Sequence, residues 1–465
     1  MQSNSSKQIN TLLCISHTFP PKINPLTNRV KKLLEQFQSN CQVVAVTSTE
    51  NGFLNQDANV QIVKDPYPVN LFNLLDKLKL DKFIEFFVWP DKAVFWILPA
   101  IIKGYQLIKQ NKPSVILVFL MPYSSSLIGI ILKRLTGIPL VLSLDDSISC
   151  TDMHPSTTSR LHHYLELWLE KFYVWQSDAI VYVSQFNLEL VKKNQHISQH
   201  PKFHLIRCGA DLLDFSSPTD EFIDELYKVE ETFEIVYTGG MNGWYGFNSS
   251  AEKISLIKKI YRYWMNLGRY ERVKIDYRTS SPVFIGQAVQ KVISQNPSLK
   301  GKIHVKIYGN RCSESLIKEI LNSYDLIDIV SVYDPLPHAE IAKLSKNADL
   351  LFITLPDRPD GSEGGRISCK TYEYLTTDRP ILAAIPKGEN WNYLQNKSGA
   401  WLVQPTDIDS MSNVITSVLS AKFSGNPLRY DRTNLYKELS YEYLAQDYLK
   451  LFDLVSKKTS NQTDI

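Results

Sequence analysis

Residues 357–383 read DRPDGSEGGRISCKTYEYLTTDRPILA, and the remainder of the chain is interpretable from this stretch. A loop rich in Gly, Asp and Pro, with Gly361, Gly364 and Gly365, gives way to a polar–apolar segment at 368–376 and an apolar run at 380–385. That order predicts a loop, a short helix and a strand. A helix opening near Ser368 turns its unpaired backbone N–H groups and the positive end of its dipole into the glycine loop, making a seat for an anion such as phosphate. Lys370 in the first turn opposes the helix dipole, so a bound anion accounts for it better than helix stability does. Glu373 falls on the same helical face, where a carboxylate can accept from the paired hydroxyls of a ribose. Arg366 supplies a second cation. The same residues also fit a plainer account, in which Lys370 and Glu373 form an exposed helix pair worth about 0.2–0.5 kcal/mol and the glycines only make a loop.

Length and composition bound what surrounds this stretch. A chain of 465 residues suits two domains of about 200 residues each. It is 44% hydrophobic and 21% charged, and 51 basic against 48 acidic residues leave a net charge of only +3. Such balance argues against nucleic acid as the main partner. Cys14, Cys41, Cys150, Cys208, Cys312 and Cys369 lie far apart, without a CxxC pair or a Cys/His cluster at metal-ligand spacing. Reduced thiols, no metal site and a cytoplasmic location are expected. The start, MQSNSSKQIN, lacks the basic and apolar regions of a signal peptide. The apolar runs at 93–102 and 115–132 are interrupted by Pro99 and Pro122, and neither is expected to span a bilayer.

Toward the N-terminus, a β-like run at 9–15, the helical pattern Val30, Leu33, Leu34, Phe37 and a second strand at 42–47 predict a βαβ unit and so a doubly wound parallel sheet. The three-glycine dinucleotide fingerprint is absent from its first loop, which gives a nicotinamide or flavin cofactor no support. Residues 71–109 are helical in pattern and carry Phe83, Phe86, Phe87, Trp89, Phe95 and Trp96 among lysines 77, 79, 82 and 92. They fit either a membrane-facing patch or a packed core. The strand at 139–144 ends in Asp145-Asp146, at the carboxyl end of a strand, where open α/β sheets place their sites. These acids can contact sugar or acceptor hydroxyls, or cap the next helix; His154 lies just beyond.

In the second half, a strand at 234–238 runs into Gly239-Gly240-Met241-Asn242-Gly243, whose backbone N–H groups can approach a phosphate closely. Further strands are expected at 305–309, 327–332 and 349–353. A helix opens at His338, and a last helix covers 436–455. Residues 274–292, with Arg278, Ser280 and Ser281, have no functional reading.

The stretch at 357–383 resembles the nucleotide-binding segment of the group 1 glycosyltransferases. Lys370, Glu373, Tyr374, Leu375, Arg379, Pro380 and Ile381 match, while Gly365 stands where the first of two glutamates is usual and Glu363 is the nearest acid. Pro20-Pro21 with Lys22, the order Trp89-Pro90-Asp91, Pro122 with Ser124 to Ser126, and Asp146 are similar to the first domain of that group. Asp145 replaces an Arg, and Cys208 an Asn. The resemblance implies a GT-B fold, with two Rossmann-like doubly wound α/β domains facing a central cleft. These are an acceptor domain at 1–215 and a nucleotide-sugar domain at 222–430, joined by a hinge near 215–221. A C-terminal helix at 431–458 packs back on the first domain, and a disordered tail covers 459–465.

It further implies retaining, metal-independent transfer of a sugar from a nucleoside diphosphate sugar, with no other cofactor, to a glycan, polysaccharide or lipid-linked acceptor hydroxyl. Arg366 and Lys370 would stabilise the leaving diphosphate, and Asp146 would touch the acceptor. Glu373, Glu363, Gly364, Gly365, Ile367, Ser368, Gly239, Gly240 and Met241 would hold the donor, with Lys22 and Asp145 on the acceptor side. Peripheral membrane contact is a further option. The alternatives are a non-catalytic GT-B scaffold that binds a sugar nucleotide, and a nucleotide-sugar epimerase.

Overall fold

Uninterrupted apolar runs, rather than alternating ones, dominate the strands. VILVFL at Val115–Leu120 and LVLSL at Leu140–Leu144 are buried at every position, the signature of parallel strands covered by helices on both faces. The computed structural model describes residues 10–19, 25–48, 59–78, 80–211, 232–240, 243–244, 256–309 and 312–463. The expected hinge at 215–221, Lys22 and Met241 lie outside them.

The chain divides into two units, one formed by Met1–Cys208, Ser255–Arg272 and Tyr441–Ile465, the other by Gly209–Ile254 and Val273–Ser440. The first unit holds β1 (Thr11–Ile15), β2 (Gln42–Thr47), β3 (Asn59–Ile62), β4 (Val115–Leu120), β5 (Leu140–Leu144), β6 (Ser156–Thr157), β7 (Ala179–Tyr182) and β8 (Phe203–Leu205). Its sheet has the order β3-β2-β1-β4-β5-β7-β8, all parallel. Beyond β9 (Phe233–Thr238) the chain returns to this unit with the helix Leu256–Asn266 and β10 (Tyr270–Glu271), which pairs antiparallel with β6. The sequence expectation put this segment in the second domain. It is held in the first by the Arg272 amide, which donates to the Pro155 carbonyl at 2.8 Å, and by the Arg272 guanidinium, which donates to the Ile148 carbonyl at 2.8 Å.

The second unit adds β11 (Ile303–Tyr308), β12 (Val330–Tyr333), β13 (Leu350–Thr354), β14 (Ile381–Ala384) and β15 (Ala400–Val403) to β9. They form a parallel sheet of order β12-β11-β9-β13-β14-β15. Its core joins Phe233, Ile235, Ile307 and Phe352 of the strands to Val289 and Ile415 of the helices Pro282–Gln295 and Ile408–Phe423.

The terminal helix departs from expectation in both bounds. Residues 431–440 stay with the second unit, where buried Arg432 donates to the carbonyls of Ser398, Thr377 and Arg379 at 2.8, 2.8 and 2.9 Å. The final helix, Tyr441–Thr463, packs on the first unit: the Tyr448 and Phe452 rings lie 5.8 and 5.6 Å from that of Phe37 in the helix Pro25–Gln38. It continues through most of 459–465, because SKKTSNQT contains no Gly or Pro to end it. Among the described residues no helix is long and apolar enough to cross a membrane.

Candidate functional site

Adjacent strand ends build the floor of a site in the second unit. Gly239, which follows β9, has φ +109°, and Gly309, which follows β11, has φ +110°. A Cβ on Gly309 would lie 2.9 Å from the Gly239 backbone, and one on Gly239 would lie 2.8 Å from Cε and Nζ of Lys370. Two bare backbones thus meet under the Lys370 side chain, whose ammonium sits 4.8 Å from the centre of the Tyr237 ring. The Tyr237 hydroxyl donates to the Gly240 carbonyl at 3.1 Å.

Lys370 is carried by the helix Cys369–Leu375. Thr371, Tyr372, Tyr374 and Leu375 face the interior, which leaves Lys370 and Glu373 on the outer side. The buried Tyr374 hydroxyl accepts from the Thr238 amide at 3.0 Å and lies 2.9 Å from Thr238 Oγ1, tying the helix to the end of β9. Burial pushes the Tyr374 hydroxyl above its ordinary pKa, against the opposing pull of the Thr238 hydrogen bonds. At the other end Asn390 Oδ1 accepts from the Ser368 amide at 2.9 Å and from Thr371 Oγ1 at 2.8 Å. The Thr371 amide donates to the Ser368 carbonyl at 2.9 Å. The anion seat expected from unpaired helix-terminal N–H groups is therefore partly closed.

The preceding loop is held by its own bonds. Buried Arg358 donates to Ser362 Oγ at 3.2 Å and to the Glu363 carbonyl at 2.8 Å, while Asp360 accepts from the Ser362 amide at 3.0 Å. Gly364 bridges Gly388, and its carbonyl accepts from the Glu389 amide at 2.9 Å.

Tyr237, Gly240, Tyr277, Ser280, Thr354, Leu355, Pro356, Arg366, Ser368 and Lys370 line one concavity. Of the residues singled out in the sequence, Gly240, Arg366, Ser368 and Lys370 line it, and Gly239 lies beneath Lys370. Glu373 is outside the lining, with its carboxylate 3.3 Å from His338 Nε2. Glu363 is exposed, Gly365 is buried, and Gly364 and Ile367 are half-buried; none of the four lines the concavity.

Tyr277 and Ser280 come from 274–292, the segment without a functional reading. They are brought in by the bridge between Asp276 and Asp357 and by the Asp357 amide donating to Thr279 Oγ1 at 2.7 Å. No local periodicity signals such a contact. Its only trace in the sequence is the polar run Arg278–Ser281, whose side chains supply turn and cap bonds. Among the described residues no group of three or more His, Cys, Asp or Glu side chains could hold a metal ion.

Asp145 and Asp146 belong to the first unit, at the carboxyl end of β5. Asp145 does not stand without a cation: buried Arg29 pairs with it directly and donates to Tyr448 Oη at 2.8 Å, and Tyr448 Oη lies 2.7 Å from Ser143 Oγ. Burial is the largest single influence and lowers the Arg29 pKa, but Asp145, with smaller contributions from Tyr448, Cys208 and Tyr441, raises it above its ordinary value. Asp146 offers its carbonyl to the Tyr123 hydroxyl at 3.2 Å. That hydroxyl also lies 2.9 Å from His154 Nε2. Burial, with Arg272 second, pulls the His154 pKa down to about 4. Burial pushes Glu166 up to about 7, with Arg272 opposing and Glu170 reinforcing the shift.

Comparison with known proteins adds to this geometry. Residues 26–212 match the family described as Glycosyltransferase Family 4. No curated protein sequence matches the chain. Among solved structures, Anabaena Alr3699/HepE in complex with UDP-glucose is 12% identical with a TM-score of 0.54, over 98% of this chain and 99% of that one. Sucrose-phosphate synthase from Thermosynechococcus elongatus is 12% identical with a TM-score of 0.53, over 98% of each chain. A UDP-forming α,α-trehalose-phosphate synthase from Burkholderia vietnamiensis is 10% identical with a TM-score of 0.59, over 97% of this chain and 98% of that one. In fold the chain is a GT-B protein with two Rossmann-like units, and over residues 26–212 it is similar to Glycosyltransferase Family 4.

Proposed function

We propose that the protein transfers a sugar from a nucleoside diphosphate sugar to an acceptor hydroxyl, with a uridine diphosphate sugar as the first donor to test. One observation carries this reading: Arg366 and Lys370 line a single concavity of the second unit together with Ser368, Gly240 and two tyrosines. In the proposed reaction the acceptor oxygen bonds to the anomeric carbon on the face that the diphosphate leaves. The bond from that carbon to the β-phosphate oxygen breaks, and its electron pair departs with the diphosphate. The two cations stabilise that developing charge, and the leaving oxygen takes the acceptor proton. Because these side chains meet the diphosphate charge themselves, the reading includes independence from a divalent metal. Glu373, on the same outer helical side as Lys370, is assigned to the ribose hydroxyls, and Asp146 to the acceptor. The solved neighbours bound to UDP-glucose and to UDP make uridine the base to try first.

The experiment begins with melting in the presence of nucleoside diphosphates and their sugars. A specific ligand at about 100 times its Kd stabilises by about 2.7 kcal/mol. Release of UDP against a panel of acceptors follows, with and without EDTA, and the anomeric configuration of the product is read by NMR. If no nucleoside diphosphate raises the melting temperature, the donor assignment is wrong. A non-catalytic sugar-nucleotide-binding scaffold is favoured by one feature, the buried Gly365 at the position of the first family glutamate. That reading requires nucleotide stabilisation without turnover on any acceptor.

A further inference from the structure

The helix Leu256–Asn266 reads LIKKIYRYWMN, and positions 256, 260 and 263 fall on one side of it with 257 at the margin. In a soluble domain such a stripe faces the core. Here it faces out: Leu256 is 72% exposed, Ile257 79%, Ile260 60% and Tyr263 71%. The helix Asp81–Phe87 continues the surface with Phe83, Phe86 and Phe87, the last 74% exposed. Specific contacts join the two helices. The Phe83 ring lies 5.9 Å from that of Trp264, and Lys82 donates to the Trp264 carbonyl at 2.7 Å and to the Leu267 carbonyl. Phe86 in turn lies 4.9 Å from the His162 ring on the helix Arg160–Gln176, which exposes Leu161, Tyr164 and Trp168. The aromatic region of the sequence is thus split. Trp96 is in the core and donates to the Val63 carbonyl at 2.8 Å, whereas Phe83 and Phe87 are outside it.

We propose that this face of the first unit docks on the surface of an anionic lipid bilayer. Charge selects that occupant. Among its described side chains the helix Leu256–Asn266 exposes Lys259 and Arg262, and it contains no acidic residue. Basic side chains beside an apolar stripe meet anionic headgroups while the stripe enters the acyl boundary, and their long stems reach outward to do so. Tyr and Trp along the same surface suit the headgroup level. A second copy of the chain fits less well, because a two-fold contact would set these like charges against each other. Among the described residues no helix is both long and apolar enough to cross a membrane, and the proposed contact is a peripheral one.

The test is flotation of the full chain with vesicles of phosphatidylcholine alone and of equimolar phosphatidylglycerol and phosphatidylcholine. The wild type is expected to float with the anionic vesicles and to be released by salt. Ile257→Ser, Ile260→Ser and Phe87→Ser combined should weaken binding by at least about tenfold, a change of about 1.4 kcal/mol. Lys259→Glu with Arg262→Glu, which leaves the apolar side chains in place, should abolish the preference for the anionic vesicles. Failure of the wild type to float, or binding indifferent to both variants, overturns the proposal. So does a concentration-dependent dimer that either variant dissolves, which would assign the face to self-association. None of these readouts depends on sugar transfer.

Discussion

Lys370 and Glu373 lie one turn apart on the same helix, yet the structure separates their surroundings. Lys370 lies over Gly239 and the Tyr237 ring at the concavity, whereas Glu373 faces His338. If the cation stabilises a leaving diphosphate, Lys370→Ala lowers kcat by about 10²–10³, the range for removing one preorganised charge-stabilising donor. Circular dichroism should be unchanged, because the side chain supports no core; a wild-type kcat in the variant would remove Lys370 from the chemistry. A second residue-scale expectation concerns pH. Glu166 has its pKa raised from 4.5 to about 7, so the folded protein holds that proton more tightly, and the stability it contributes in acid is lost as pH rises through 7. His154 runs the other way: its pKa is lowered from 6.5 to about 4, and the stability it contributes above 6.5 is lost as pH falls toward 4. Glu166→Gln removes the first dependence alone. The variant should match the wild type near pH 4 and exceed it above pH 7 by on the order of 2 kcal/mol, measured by denaturant melts across that range. A constant difference at all pH values would contradict a proton held by the folded state.

At the scale of elements, the site depends on strand ends that glycine alone allows to approach. Gly239→Ala places a Cβ at 2.8 Å from the end of the Lys370 side chain, on a backbone at φ +109°. The lysine tip can move aside, so the main cost is backbone strain of about 1–3 kcal/mol. The displaced cation should also weaken UDP binding, read by titration alongside the melt. Normal affinity with reduced stability would separate Lys370 from the nucleotide. The helix and strand around this glycine were legible in advance, because the loop at 357–365 and the residues Lys370 to Ile381 follow local rules of turn and period. What local rules cannot supply is the approach of 276–280 to Asp357, made by backbone pairing between segments far apart in the chain. Tyr277 and Ser280 reach the concavity only through that pairing.

At the scale of the molecule, the two units are assembled from interleaved pieces, with 255–272 and 441–465 both returning to the first. The final helix is anchored by Tyr448, which meets Phe37, Ser143 and Arg29 at once. Tyr448→Ala should cost about 3–5 kcal/mol as a buried aromatic truncation, with the loss seen in hydrogen exchange of the helix Pro25–Gln38. Intact protection there would mean that the terminal helix is not structural. The sequence by itself determined the first βαβ unit, most of the parallel strands, the glycine loop with its cations and the α/β class, because each is written in the spacing of apolar, turn and charged residues over a few positions. The GT-B arrangement was implied by the family resemblance, and the edge strands β3 and β15 were not evident from local pattern. Tertiary structure alone decided that Arg29 meets Asp145, that Tyr277 joins Lys370 at one concavity, that 255–272 packs beside β6, and which aromatics stay outside the core. These outcomes depend on contacts between distant segments, and their free energies arise from burial and pairing that no local pattern of residues encodes.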